Sequence, residues 1–198
     1  EMVTSVRGNH TEWAQHPIVS GRTRTMLKIQ DGCTHFCTYC IVPYARGPEA
    51  SVPADQVLAE VRDRVLAGHK EIVLSGVRLG AYGQDLPDGQ RTGLAELVGT
   101  ILTEVELPRL RLSSIEPEDF SSEMAQLWQD KRLCRHLHLP LQSGSDAVLK
   151  RMGRGYDTAH FAKAADAFRR HAPNGAFTTD VIVGFPGETD REFEETCR

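Results

Sequence analysis

Three cysteines, Cys33, Cys37 and Cys40, stand in one short loop with gaps of three and then two residues. They supply three thiolates, one fewer than a closed four-ligand zinc or iron–sulfur site needs. A cubane 4Fe-4S cluster held this way keeps one iron free for a ligand that is not protein, as a catalytic site requires. Two other readings stand beside this one. A structural zinc site would recruit His35 as fourth ligand, although zinc ligands usually come as two separated pairs and no second pair occurs here. A disulfide framework fits poorly, because five cysteines in 198 residues are sparse and odd in number. Cys134 and Cys197 lie far along the chain, where a lone cysteine is usually a small buried hydrophobe.

Composition is that of an ordinary globular chain, with 40% hydrophobic and 25% charged residues. No run approaches the ~18 apolar residues of a membrane span, and no signal peptide is evident. A reduced, cytoplasmic setting and no membrane partner are therefore expected. The formal net charge of -4 gives no global support for a nucleic-acid partner. Local basic clusters exist at Lys131-Arg132, at Arg135, and at Lys150-Arg151 with Arg154. The last three either border an open face and meet phosphates or form a solvated helix face.

Strand-like and helix-like segments alternate from Met26 onward. Met26–Gln30 reads as a strand, followed by the cysteine loop and a helix opened by Pro53. Val57, Leu58, Val61, Val65 and Leu66 fall on one face of that helix, with Gly68 placed to cap it. Strand Glu71–Leu74 then leads to helix Leu94–Val105, and strand Leu110–Ser113 to helix Ser121–Trp128. Strand His136–Leu139 leads to the helical pair Asp146–Met152 and Thr158–Arg170, and strand Phe177–Val183 to a helix starting near Thr189. Such alternation implies right-handed crossovers, a parallel sheet, and function on loops at the carboxyl ends of the strands. Five units are too few for a closed eight-stranded barrel of about 250 residues. The loops after the strands are rich in glycine, proline or short polar groups, where a ligand must approach backbone.

The cysteine spacing, with an aromatic residue, Tyr39, just before the last cysteine, resembles the cluster loop of radical S-adenosylmethionine (SAM) enzymes. Four phrases extend the resemblance to the methylthiotransferases of that group: Gln30-Asp31-Gly32-Cys33, Ile41 to Gly47, Leu139 to Gly144, and Thr179 to Glu188. It covers nearly everything from Arg22 onward. Leu112 to Pro117 and Ser75-Gly76-Val77 look most like the enzymes acting on threonylcarbamoyladenosine beside the tRNA anticodon.

The resemblance implies an α/β fold, a partial (β/α)6 barrel of the radical SAM type, with its last unit expected to be truncated. Residues 1–21, polar and without a period, are expected to be a linker or arm, and 22–198 the radical SAM core domain. The N-terminal second-cluster domain and the C-terminal RNA-binding domain of complete methylthiotransferases are expected to be absent. The implied cofactors are a 4Fe-4S cluster and SAM, which the reduced cluster cleaves to a 5'-deoxyadenosyl radical. The implied partners are a tRNA substrate and a reducing electron donor. Cys33, Cys37 and Cys40 would ligate the cluster, and Tyr39 would lean toward the adenine unless it packs as a core aromatic. Gly76 would let a backbone carbonyl take the methionyl amino group. Gln142 would bond the ribose or carboxylate, and Ile182, with Val183, would wall the adenine. Asp180, in an otherwise apolar strand, is a cofactor-binding candidate or is paired structurally. Glu116 has a looser claim as a loop carboxylate. Two positions depart from the family pattern: Thr34 and Arg78 each stand where Asn is frequent. The expected function is a methylthiotransferase core modifying threonylcarbamoyladenosine in tRNA. The alternatives are isopentenyladenosine tRNA or a ribosomal protein aspartate as substrate, or a non-catalytic zinc-binding module.

Overall fold

Strand β1 (Arg24–Asp31) buries Leu27 and Ile29 on one side and carries Lys28 and Gln30 on the other, and at its carboxyl end Gln30 and Asp31 are buried as well. The structure, a computed structural model, describes residues 21–198; the expected linker or arm therefore lies outside the described residues apart from its last position. Helix α1 (Val42–Arg46) and strand β2 (Ala50–Ser51) follow the cysteine loop. Next come α2 (Ala54–Leu66), β3 (Glu71–Gly76), α3 (Leu94–Glu104), β4 (Leu110–Leu112), α4 (Ser122–Gln126) and β5 (His136–His138). The chain continues through α5 (Asp146–Met152), α6 (Thr158–His171), β6 (Ala176–Thr178) and α7 (Asp190–Thr196).

The sheet order is β2-β1-β3-β4, with β5-β6 as a second pair, and every pairing is parallel except β1 with β2. Isolated parallel bridges, Leu110 to Leu133 and Ser114 to His138, join β4 to the β5 segment, so the two sheets form one open, curved wall. It is not a closed barrel. Each parallel step is a strand–helix–strand crossover, which places the five loops after β1, β3, β4, β5 and β6 at one end.

Helices cover the outer face with period-3.6 stripes. In α3 these are Leu94, Leu97, Val98, Ile101 and Leu102, all buried. Around α6 an aromatic cluster closes the core: Trp128 meets Phe168 edge-on at 5.3 Å and Phe120 at 5.7 Å, and its indole N–H donates to the Cys134 carbonyl at 2.9 Å. Among the described residues, no helix is long and apolar enough to cross a membrane.

Three details differ from the sequence reading. Leu66 is 84% exposed, because the buried face of α2 runs through Val57, Val61 and Arg64, and Leu66, two residues beyond Arg64, turns to the opposite side of the helix. Strand β2, two residues long, carries no periodic signal and was not expected. The last strand stops at Thr178 and continues only as a single bridge from Gln142 to Val181, since it pairs with β5 alone.

Removing the Trp128 ring deletes both aromatic contacts and the indole hydrogen bond. Trp128→Ala is expected to cost about 3–5 kcal/mol, read as a lowered midpoint in urea unfolding at unchanged slope.

Candidate active site

The cysteine loop is an excursion closed at its base. The chain leaves β1 at Asp31 and returns at Ala50, where β2 pairs with it antiparallel. Gly32 has φ 69°, and a Cβ there would lie 1.9 Å from the Pro48 carbonyl oxygen, so only glycine fits the crossing. Cys33 N–H donates to Gly47 O at 3.0 Å, and Cys40 N–H to Cys37 O at 2.9 Å. The middle of the loop rests on the C-terminus of α5: Thr38 donates its N–H to Met152 O at 2.9 Å and its hydroxyl to Arg151 O at 3.1 Å.

Cys33, Cys37 and Cys40 line one cavity of about 190 Å³, together with Tyr39, Glu116 and Gln142 from the sequence-derived set. His35, Val77, Arg78 and Arg154 complete most of its wall. None of the cysteines is in a disulfide. Burial pushes the Cys33 thiol up, partly offset by the His35 N–H that donates to its sulfur at 3.3 Å. The donor set suits a cluster: three free thiols on one cavity, with a guanidinium beside them. Among the described residues no three His, Cys, Asp or Glu side chains are gathered at metal-ligating distance, so the fit rests on the shared cavity and thiol chemistry.

Gln142 is the only non-glycine residue with positive φ, 64°, among those described, a conformation costing about 1 kcal/mol that surrounding structure must impose. Its N–H donates to Asp180 O at 2.9 Å, and its carbonyl accepts from Ile182 N at 2.8 Å. Tyr39 is 39% exposed rather than a core aromatic, and stands edge-on to Phe185 at 6.5 Å. Gly76 lies beside the cavity, where a Cβ would come within 2.8 Å of the Gln30 amide oxygen.

Asp180 and Ile182 do not line the cavity. The Asp180 side chain, beyond the end of β6, is 74% exposed and pairs with His138 Nε2 at 3.3 Å, the structurally paired arrangement of the two that the sequence allows. Ile182 is half-buried and Val183 exposed.

Charged residues missed by sequence reasoning organise the rim. Arg78 forks onto Asp119 at 2.9 and 3.0 Å and onto Glu118 at 3.0 Å, and Glu118 also meets His35 Nδ1 at 3.2 Å. Arg154 pairs with Glu116 and is 6% exposed, so it is no phosphate contact. Arg151 bonds both Glu192 carboxylate oxygens at 2.9 Å and so faces α7 instead of a phosphate. Burial pushes the Glu116 and Asp119 carboxyls up against the pull of Arg154 and Arg78. The signal for Arg78 was its departure from the family pattern; Arg154 stood out only as part of a local basic cluster, with no sign of a partner in Glu116. Thr34, the other departure, donates its N–H and hydroxyl to Glu49 Oε1, each at 2.8 Å.

Residues 27–198 match the radical SAM superfamily. This chain belongs to it. Within that superfamily, the threonylcarbamoyladenosine tRNA methylthiotransferase MtaB of Chlamydia pneumoniae is 44% identical over 90% of this chain and 41% of its own length. The tRNA-2-methylthio-N(6)-dimethylallyladenosine synthase of Halalkalibacterium halodurans is 43% identical over 89% of this chain and 32% of its own. The chain thus spans well under half the length of these relatives. A solved radical SAM enzyme, the cobalamin-dependent OxsB with aqua-cobalamin and SAM bound, superposes with a TM-score of 0.68 over 86% of this chain and 25% of its own. At 17% identity, that likeness shows the fold alone. A 4Fe-4S cluster and SAM are the characteristic cofactors of the superfamily.

Arg151 ties α7 to the helix on which the cysteine loop rests. Its bond, then the Thr189 N–H, holds the Glu192 carboxyl at about 2 against an ordinary 4.5. A depressed folded-state value stabilises above the ordinary one and is lost as pH falls through the folded one. Amide exchange in α7 is therefore expected to accelerate between pH 4.5 and about 2, beyond its intrinsic pH dependence, in the native chain but not in Glu192→Gln.

Proposed function

We propose that the chain is the catalytic portion, residues 22–198, of a radical SAM methylthiotransferase, and that Cys33, Cys37 and Cys40 hold its 4Fe-4S cluster. The observation that carries this is the convergence of all three cysteines with Tyr39, Glu116 and Gln142 on one cavity at the carboxyl ends of parallel strands. When bound and reduced, the cluster supplies the electron that cleaves SAM. The chain's own residues bind and orient. The Tyr39 ring offers a flat face at the cavity, and Gln142, fixed by two backbone hydrogen bonds to the β6 extension, presents a neutral donor and acceptor. The loop after β3 is anchored through Arg78, and the carbonyl of Gly76, at its start, would take the methionyl amino group. Asp180 with His138 is assigned to the open inner face below, toward substrate rather than SAM.

The proposed substrate is the threonylcarbamoyladenosine of tRNA next to the anticodon, in a reducing, cytoplasmic setting with an external electron donor. Support comes from the relatives' activities and from the Ser113-Ser114-Ile115-Glu116-Pro117 loop, which follows β4 at the cavity. The second cluster and RNA-binding domain of complete methylthiotransferases belong, on this reading, to parts of the protein other than residues 22–198. The relative named for dimethylallyladenosine is nearly as similar, so the nucleoside is tested directly. A strain lacking the gene is complemented with it, and tRNA nucleosides are analysed by mass spectrometry. The methylthio group is expected to return on threonylcarbamoyladenosine; return only on isopentenyladenosine would overturn the substrate and leave the radical chemistry standing.

The ligand set has its own test. After anaerobic reconstitution, Cys33→Ala, Cys37→Ala and Cys40→Ala are each expected to lose most bound iron, and Cys134→Ala and Cys197→Ala to keep it. The native chain, once reduced, is expected to release 5'-deoxyadenosine from SAM. A colourless chain holding one zinc through Cys33, Cys37, Cys40 and His35 would instead establish the binding-module reading.

A further inference from the structure

We propose that Arg154 is a positioning residue whose guanidinium donates to the Cys37 sulfur and thereby sets the reduction potential of the iron–sulfur cluster. The inference rests on the reading of Cys33, Cys37 and Cys40 as cluster ligands. Arg154 Nη1 lies 3.3 Å from Cys37 Sγ and 3.3 Å from the Tyr39 hydroxyl, while Nη2 pairs with Glu116. The guanidinium carbon sits 4.8 Å over the Tyr156 ring, whose hydroxyl is fixed by the carbonyls of Pro140 and Leu141 at 2.8 and 3.2 Å. The backbone is equally constrained: Gly153 turns left-handed with φ 72°, and Arg154 N–H returns to Leu149 O at 3.0 Å. With 6% of the side chain exposed, the guanidinium has no alternative position in solvent.

A positive charge so placed acts on the sulfur electrostatically. Hydrogen bonds to ligand sulfurs and nearby charge are the main protein levers on cluster potential. One electron added to the cluster increases the negative charge on its ligands, and an N–H donor carrying a full positive charge stabilises that state more than the oxidised one. Arg154 therefore raises the potential. Glu116, on the far side of the same guanidinium, opposes it, so removing each partner shifts the potential in opposite directions. A residue that merely packed the loop would change stability and iron content and leave the potential where it was.

The test is an EPR-monitored redox titration of the anaerobically reconstituted chain, with iron counted in every sample. Arg154→Gln is expected to titrate more negative than the native chain by about 59 mV, a tenfold change in the oxidised-to-reduced ratio for one electron. Arg154→Lys keeps the charge but loses the fork, and is expected to show a smaller negative shift. Glu116→Gln is expected to shift positive, which decides the matter if Arg154→Gln fails to hold iron. An unchanged potential in fully loaded Arg154→Gln, or a negative shift in Glu116→Gln, would overturn the proposal. A native chain that forms no 4Fe-4S cluster would instead remove the ligand reading itself, and this inference with it.

Discussion

Gln30, with no solvent contact at the carboxyl end of β1, donates from Nε2 to the carbonyls of Asp31 and Gly32, both at 2.9 Å, and accepts at Oε1 from Arg78 N–H at 2.8 Å. One side chain thus fastens the first residues of the cysteine loop to the loop after β3. A buried amide is costly unless its polar atoms are matched, so the two loops hold their separation because moving either would strand a donor or an acceptor. The same contact explains Gly76 in steric terms: Gln30 fills the space a Cβ would need. Absence of a side chain there is demanded by the scaffold, whatever the adjacent carbonyl binds.

Outside this joint runs a belt of half-buried charge. Arg78 and Arg154 face Glu116, Glu118 and Asp119, two guanidinia against three carboxylates, linking the loops after β3 and β4 to the segment after α5. Buried ion pairs contribute little net stability, but each fixes orientation, because breaking one leaves a charge uncompensated. The rim of the cavity is held in this way by electrostatic matching, while the floor is held by the aromatic and aliphatic core behind the sheet. His138 and Asp180, paired at 3.3 Å, lie where burial is weaker.

Much of this was legible in the sequence where a short-range signal existed. Helices α3 and α6 follow from the alternation of elements, most of the buried face of α2 from its 3.6-residue period, and the cysteine triplet from its spacing. Placing function on the loops after the strands needed only the alternation of elements. What escaped was set by tertiary contact. Arg154 looks like any basic residue after a helix until the fold carries Glu116, 38 residues earlier, against it. Gln30 sits in a strand pattern that gives no hint of a buried hub. Asp180 appeared to be a carboxylate in an apolar strand, yet β6 ends at Thr178, two residues before it, and the side chain reaches solvent. Leu66 shows the limit of periodicity at a helix end, where the face rotates past the core.

The three cysteines of one loop would hold the cluster and leave one iron open to SAM in the cavity shared with Tyr39, Glu116 and Gln142. Electron–nuclear double resonance on the reduced, reconstituted chain with SAM labelled with 15N at the methionyl amino group tests it most directly. A strong hyperfine coupling from that nitrogen, lost when SAM is omitted, is the predicted result. A fully formed 4Fe-4S cluster with SAM bound but no such coupling would rule out an open iron at this site.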